Sequence, residues 1–229
     1  MRGHVYAIDG TGLGDKPQLV CLVCVSAERP VIVAWWLLEG NASEKGREEA
    51  VTRVLIEQTR QLGGSDCIEL LLVDALSAGG PLLTWCKYEC GIDVLVPIPG
   101  DRALHRDVEA LAAEGLLKFR YHGYVRTVQG HKQRRNLEIA SQGGLTSWDS
   151  YMQAAREYGD EAPCLWAAYI RPLAPAADAD TPWTLVSTRA WASGVETIGG
   201  FRPRWHIEND AHPELKEGWG PAVTVHAPD

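Results

Sequence analysis

The chain has 229 residues, 45% of them hydrophobic and 23% charged, with a formal net charge of −8 at neutral pH. This is ordinary globular composition, enough for one large domain or a domain carrying an insertion, and no apolar run reaches the roughly 18 residues of a membrane span. The acidic balance counts against a surface that coats DNA without specificity, because affinity for the phosphate backbone comes from Lys and Arg.

Met1-Arg2-Gly3-His4 leads directly into an apolar stretch, so no signal peptide is expected and a cytoplasmic setting fits. His4 to Asp9 reads as a first strand. Gly10-Thr11-Gly12-Leu13-Gly14 is a turn, and it lacks both the dinucleotide fingerprint and the lysine of a P-loop. Gln18 to Ser26 and Val31 to Leu38 are second and third strands, joined by a turn at Glu28-Arg29-Pro30; the three form an antiparallel meander. Asn41 or Ser43 can cap a helix. Its apolar positions are Val51, Val54, Leu55 and Leu62, and Gly63-Gly64 stops it.

Cys67 to Asp74 is a nearly unbroken apolar run, the pattern of a strand buried on both faces. A helix follows over roughly Gly80 to Cys90, then a strand from Asp93 to Pro97. Arg102 to Leu117 is helical. Short segments come next, Phe119–Val128 and Leu137–Ser141, then Ser147–Tyr158, and after them a strand-like stretch, Cys164–Ile170. Arg171 to Pro182 is a Pro-, Ala- and Asp-rich loop, and Trp183 to Arg189 is a strand leading back to the core. The six cysteines offer no second pair at zinc-ribbon spacing beside Cys21-x-x-Cys24, so buried free thiols are expected, with no disulfide framework.

Three acids stand out. Asp9 and Asp74 each end an apolar strand, and Glu208 lies in the helical pattern of FRPRWHIENDAHPELKEGW. Arg204 precedes Glu208 by one turn, so a helix puts the two on one face. Two strand-borne aspartates and a helix-borne glutamate make a carboxylate set able to hold two divalent cations for phosphodiester chemistry. A separate patch is basic. Between Glu114 and Glu138 there is no acid, while Lys118, Arg120, Arg126, Lys132, Arg134 and Arg135 occur with Phe119, Tyr121 and Tyr124 interleaved. That mixture suits phosphates and unstacked bases.

The segments IDGTG, LLVDALSAGGPLLTW and RWHIEN…ELKEGWG resemble the catalytic domain of DDE-type insertion-sequence transposases, from near Met1 to about Trp219. The resemblance implies an α/β, ribonuclease H-like mixed sheet of order βββαβαβ flanked by helices. Residues 1–100 and 183–229 would form this core and 101–182 a β-rich insertion before the last helix. In that fold the first strand lies beside the fourth, which would join Asp9 to Asp74. Two Mg2+ or Mn2+ ions would be held by Asp9 as the bridging ligand and by Asp74 and Glu208. The implied activity is strand cleavage at a transposon end followed by attack of the freed 3′-hydroxyl on target DNA, with a homodimer on DNA. Arg204 and Lys216 would contact phosphate near the cut, and a Trp of the insertion would stack on a displaced base.

The chain departs from the family pattern in places. Phe201 stands where the signature usually has Tyr. Leu215 stands seven residues after Glu208, where the family places Lys, and Lys216 follows one later, about 80° round the helix. Pro213 lies between them, and Gly199, Gly200 and Pro203 weaken the helix ahead of Glu208. The family usually carries an N-terminal DNA-recognition region before its first catalytic Asp, whereas Asp9 here follows eight residues. Two alternatives accompany the transposase reading: a truncated, inactive remnant, and a metal-dependent nuclease or resolvase of the same fold.

Overall fold

The computed structural model describes residues 4–12, 18–38, 45–75, 79–128, 131–173, 181–204 and 207. The chain divides into two compact units. One is drawn from Met1–Ala78, Cys90–Ile92 and Arg202–Asp229, the other from Gly79–Glu89 and Asp93–Phe201.

In the first unit the strands are β1 (His4–Gly12), β2 (Gln18–Cys24), β3 (Val31–Leu38) and β4 (Ile68–Leu72), with helix α1 (Lys45–Gly63) between β3 and β4. Their order is β3-β2-β1-β4. The meander pairs antiparallel, and β4 joins β1 in parallel. β2 is apolar at every position after Gln18, and Leu19 to Cys24 are all buried. Among the described residues β3 pairs along its ladder only with β2. Of its eight uncharged residues only Leu38 is buried, while Val31, Val33, Trp35, Trp36 and Leu37 are exposed.

The buried stripe of α1 is Val51, Thr52, Leu55, Ile56 and Thr59. The Thr52 and Thr59 hydroxyls donate to the carbonyls of Glu48 and Leu55, each at 2.8 Å, so burying them leaves no polar group unmatched. The expected apolar face is therefore corrected at two positions. Val54 points away from this stripe, and Leu62, in the last turn, is 89% exposed. The capping candidates Asn41 and Ser43 lie outside the described residues.

The second unit contains α2 (Gly80–Thr84), β5 (Asp93–Ile98), α3 (Ala103–Ala113), β6 (Arg120–Val128), β7 (His131–Leu145), α4 (Asp149–Glu157), β8 (Leu165–Leu173), β9 (Trp183–Ser187) and α5 (Gly194–Phe201). The strand order is β5-β9-β8-β7-β6, antiparallel throughout. The single helix expected over 80–90 is α2 followed by one π-helical turn, Trp85–Glu89. α2 lies so close to α4 that a Cβ on Gly80 would meet the backbone at Ser150 and Tyr151. β7 runs well beyond the expected 137–141 because it pairs β6 along its first half and β8 along its second.

α5 runs through Gly199 and Gly200, residues expected to weaken a helix. The neighbour of Gly200 explains it: the Trp191 ring fills the space a Cβ there would take, so the helix keeps its glycine for packing. Arg202–Arg204 then form one 3-10 turn, which returns the chain to the first unit. Among the described residues no helix is long and apolar enough to cross a membrane.

Candidate active site

Strand register assembles the centre. β1 and β4 run parallel with Tyr6 beside Leu71 and Ala7 beside Leu72. Two residues further along each chain stand Asp9 and Asp74, so the pleat puts both carboxylates at the same end of the pair and on the same side. Each carboxylate is tethered locally. The Gly10 N–H donates to Asp9 Oδ1 at 2.9 Å, and the Ala75 N–H donates to Asp74 Oδ1 at 2.6 Å.

The two remaining oxygens face one nitrogen. Arg204 Nη2 lies 3.4 Å from Asp9 Oδ2 and 3.6 Å from Asp74 Oδ2, so the two oxygens are at most about 7 Å apart. The side chains of Arg204, Asp9 and Asp74 are 8%, 14% and 38% exposed. Arg204 reaches this place from the 3-10 turn, in which Pro203 presets the backbone. Among the described residues, one guanidinium faces two carboxylates here. In sequence Arg204 suggested a partner for Glu208 and, by resemblance, a phosphate contact; its contact with acids far back in the chain has no local signal.

Sequence reading gives Cys21 only as a buried free thiol, with no link to Asp9. Cys21 sits directly opposite Asp9 in β2, and Trp35 sits directly opposite Cys21 in β3. Cross-strand partners share a face, so Asp9, Cys21 and Trp35 form one row. Cys21 is fully buried, whereas Trp35 is 63% exposed. Burial, followed by the nearby Asp9 carboxylate, pushes the Cys21 thiol up from 9.0 to about 11.

A raised thiol pKa keeps more protons on the folded than on the unfolded chain between those two values. The stability it contributes is therefore complete below pH 9 and lost as pH rises to 11. Chemical denaturation at successive pH values is expected to show an alkaline loss of about 2–3 kcal/mol that Cys21→Ala removes. An unchanged alkaline limb in Cys21→Ala would refute this assignment. All six cysteines are free; Cys21, Cys24, Cys86 and Cys90 are buried and Cys164 is exposed.

Glu208 and Lys216 lie outside the described residues; Phe201 is buried at the end of α5. Among the described residues no group of three or more His, Cys, Asp or Glu could hold a metal ion. The pair that is described still suits one. Asp9 Oδ2 and Asp74 Oδ2 are hard carboxylate oxygens, the ligand type preferred by Mg2+ and Mn2+, and Arg204 Nη2 faces both.

The basic segment is a hairpin. Lys118 and Arg120 are exposed at its start; Arg126 is in β6 and Lys132, Arg134 and Arg135 are in β7. In the ladder Arg126 pairs Gln133, Val125 pairs Arg134, and Tyr124 pairs Arg135. Phe119 carries Arg171 over its ring at 4.3 Å and meets Tyr169 edge-on, so it packs within its own unit. Tyr121 is exposed and donates to Asn136 Oδ1 at 2.5 Å.

The class these observations define is a mixed α/β protein with two aspartates gathered at adjacent parallel strand ends. No protein-family model and no curated protein matches the sequence. Two solved structures are similar in part. The catalytic domain of human endonuclease V matches over 95% of this chain and 84% of its own, at 12% identity and a TM-score of 0.45. Human ENDOV matches over 68% of this chain and 74% of its own, at 15% identity and a TM-score of 0.32. At these scores neither likeness carries an activity or a site residue across.

Proposed function

We propose that this chain is the catalytic domain of a DDE-type transposase, which cleaves DNA strands and joins them with Mg2+ or Mn2+ held by Asp9, Asp74 and Glu208. The observation that carries the proposal is the convergence of Asp9 Oδ2 and Asp74 Oδ2 on one cationic nitrogen. The transposase-like segments around Asp9, Asp74 and Glu208 supply the rest of the support.

Bound cations would generate the attacking water or 3′-hydroxyl and neutralise charge on the phosphate. The protein's own contribution is positioning. The backbone N–H groups of Gly10 and Ala75 each hold one carboxylate oxygen, which orients the other. The parallel pairing of β1 and β4 holds the two carboxylates at a set spacing. Arg204 and Lys216 would contact phosphate near the cut, as the resemblance implies. The hairpin residues Lys118, Arg120, Arg126, Lys132, Arg134 and Arg135 bind the DNA backbone locally, which a net charge of −8 over the whole chain permits.

The test supplies a labelled duplex with a free 3′-hydroxyl, a supercoiled plasmid and Mg2+ or Mn2+ at low ionic strength. Metal-dependent joining of label to plasmid is the expected result. Cleavage without joining identifies a nuclease or resolvase of the same fold instead. Metal binding with neither product identifies an inactive remnant.

A further inference from the structure

The outer edge of β3 has no part in the function proposed above. Among the described residues β3 pairs only with β2, so the backbone groups along its other edge meet no strand. Charges and prolines usually blunt such an edge, and Val31–Leu38 contains neither. The nearest charged residues in the sequence are Arg29 and Glu39. Val31, Val33, Trp35, Trp36 and Leu37 are exposed. We infer that this edge is the contact between two copies of the chain. β3 pairs antiparallel with β3 of a second copy across a twofold axis at Trp36, and the dimer forms without DNA or a cation.

Register selects the axis. From Ala34 to Leu38 the match to β2 is unbroken, running from Leu22 to Gln18. Val23 is opposite Ile32 and Leu22 opposite Ala34, so Val33 is an extra residue with no opposite number. Such a bulge bends the strand and interrupts its ladder, which leaves Ala34–Leu38 as the regular segment open to a partner. Cross-strand partners share a face, so a twofold axis normal to the sheet sets one residue opposite its own copy. Only an axis at Trp36 uses the whole regular segment. Ala34 then faces Leu38 of the second copy, Trp35 faces Leu37, and Trp36 faces Trp36.

Every match is apolar against apolar. Trp35, 63% exposed, meets Leu37 twice by symmetry on one face, and the two Trp36 rings meet on the other. The same strand serves both copies, so the pairing closes at a dimer and does not propagate. With about 200 Å2 for a whole Trp and about 100 Å2 for a whole Leu, the exposed parts of Trp35, Trp36 and Leu37 amount to roughly 250 Å2 in each copy. The two copies together cover roughly 500 Å2 of apolar side chain, to which the ladder adds backbone. This lies below the roughly 1,200 Å2 of a standard interface, in the range of weak and reversible complexes, so dissociation in the tens of micromolar is expected.

Sedimentation velocity of the full chain from about 1 to 200 μM, without DNA or divalent cation, is the test. The expected result is a monomer that becomes a dimer with rising concentration and goes no further. Trp35→Lys is expected to weaken the dimer at least about thirtyfold. Leu116→Lys, at a residue equally exposed in the second unit, is expected to leave it within about twofold. Mild oxidation reads the register directly. Residues directly opposite stand about 4.5–5.5 Å apart at Cα, within disulfide reach, so Trp36→Cys is expected to give a disulfide-linked dimer. Trp35→Cys, two residues out of step with its own copy, is expected to give no more than the wild-type background from the exposed Cys164. A chain monomeric at about 200 μM, growth past the dimer, or a dimer that forms only on DNA overturns the inference. So does a Trp35→Lys protein that dimerises as the wild type does, or a crosslink at position 35 in preference to 36.

Discussion

Asp74→Asn is expected to lower metal-dependent strand cleavage by roughly a thousandfold while changing stability by less than about 1 kcal/mol. The two effects separate because of where the carboxylate sits. Asp74 is 38% exposed, and Asn keeps the oxygen that accepts the Ala75 N–H. The substitution takes away a negative oxygen donor and little else. Arg204 retains Asp9, the nearer of its two acids. Asp9→Asn is expected to abolish cleavage to the same degree but to cost more stability, about 1–3 kcal/mol. It strips the better-buried partner from a guanidinium that is 8% exposed. Cleavage assays beside denaturant titrations of both variants check this. Full activity in Asp74→Asn would remove the acid pair from the chemistry.

The second large effect concerns packing. Gly80→Ala is expected to destabilise the protein by about 3 kcal/mol, lowering the melting temperature by roughly 6–12 °C. A Cβ at Gly80 meets backbone atoms of Ser150 and Tyr151, which no rotamer change relieves; α2 and α4 must separate. Tyr151 is fully buried at that contact, so separation also loosens a large side chain. Gly199→Ala is the control. Nothing lies within 4 Å of a Cβ there, in a helix, so it should be neutral or stabilising by up to about 1 kcal/mol. A Gly80→Ala protein that melts with the wild type would show that the two helices are free to part.

The acid pair was legible because both strands announce themselves. Ile68 to Leu72 and the run ending in Asp9 are apolar enough to need burial, whereas the pairing of the first strand with the fourth came from the resemblance and not from any local pattern. What stayed hidden depends on partners distant in sequence. The apolar period of α1 pointed to Val54 and Leu62, but Thr52 and Thr59 occupy the buried stripe because their hydroxyls bond back to the helix. Propensity argued against a helix across Gly199-Gly200, and the Trp191 ring overrides it. The π-helical turn after α2 has no compositional mark that separates it from the helix it continues. Arg204 carried a family expectation about phosphate, yet its contact with Asp9 spans 195 residues of chain. No local pattern encodes such a contact.

β3 bears on how the protein behaves as a solute. Among the described residues it is an edge strand of eight uncharged residues, with Trp35 63% exposed. Net charge of −8 keeps molecules apart over about 10 Å in dilute buffer, whereas an open ladder and wetted indoles attract only at contact. Raising ionic strength shortens the repulsion and leaves the attraction untouched. The exposed face of β3 is therefore expected to favour self-association as ionic strength rises.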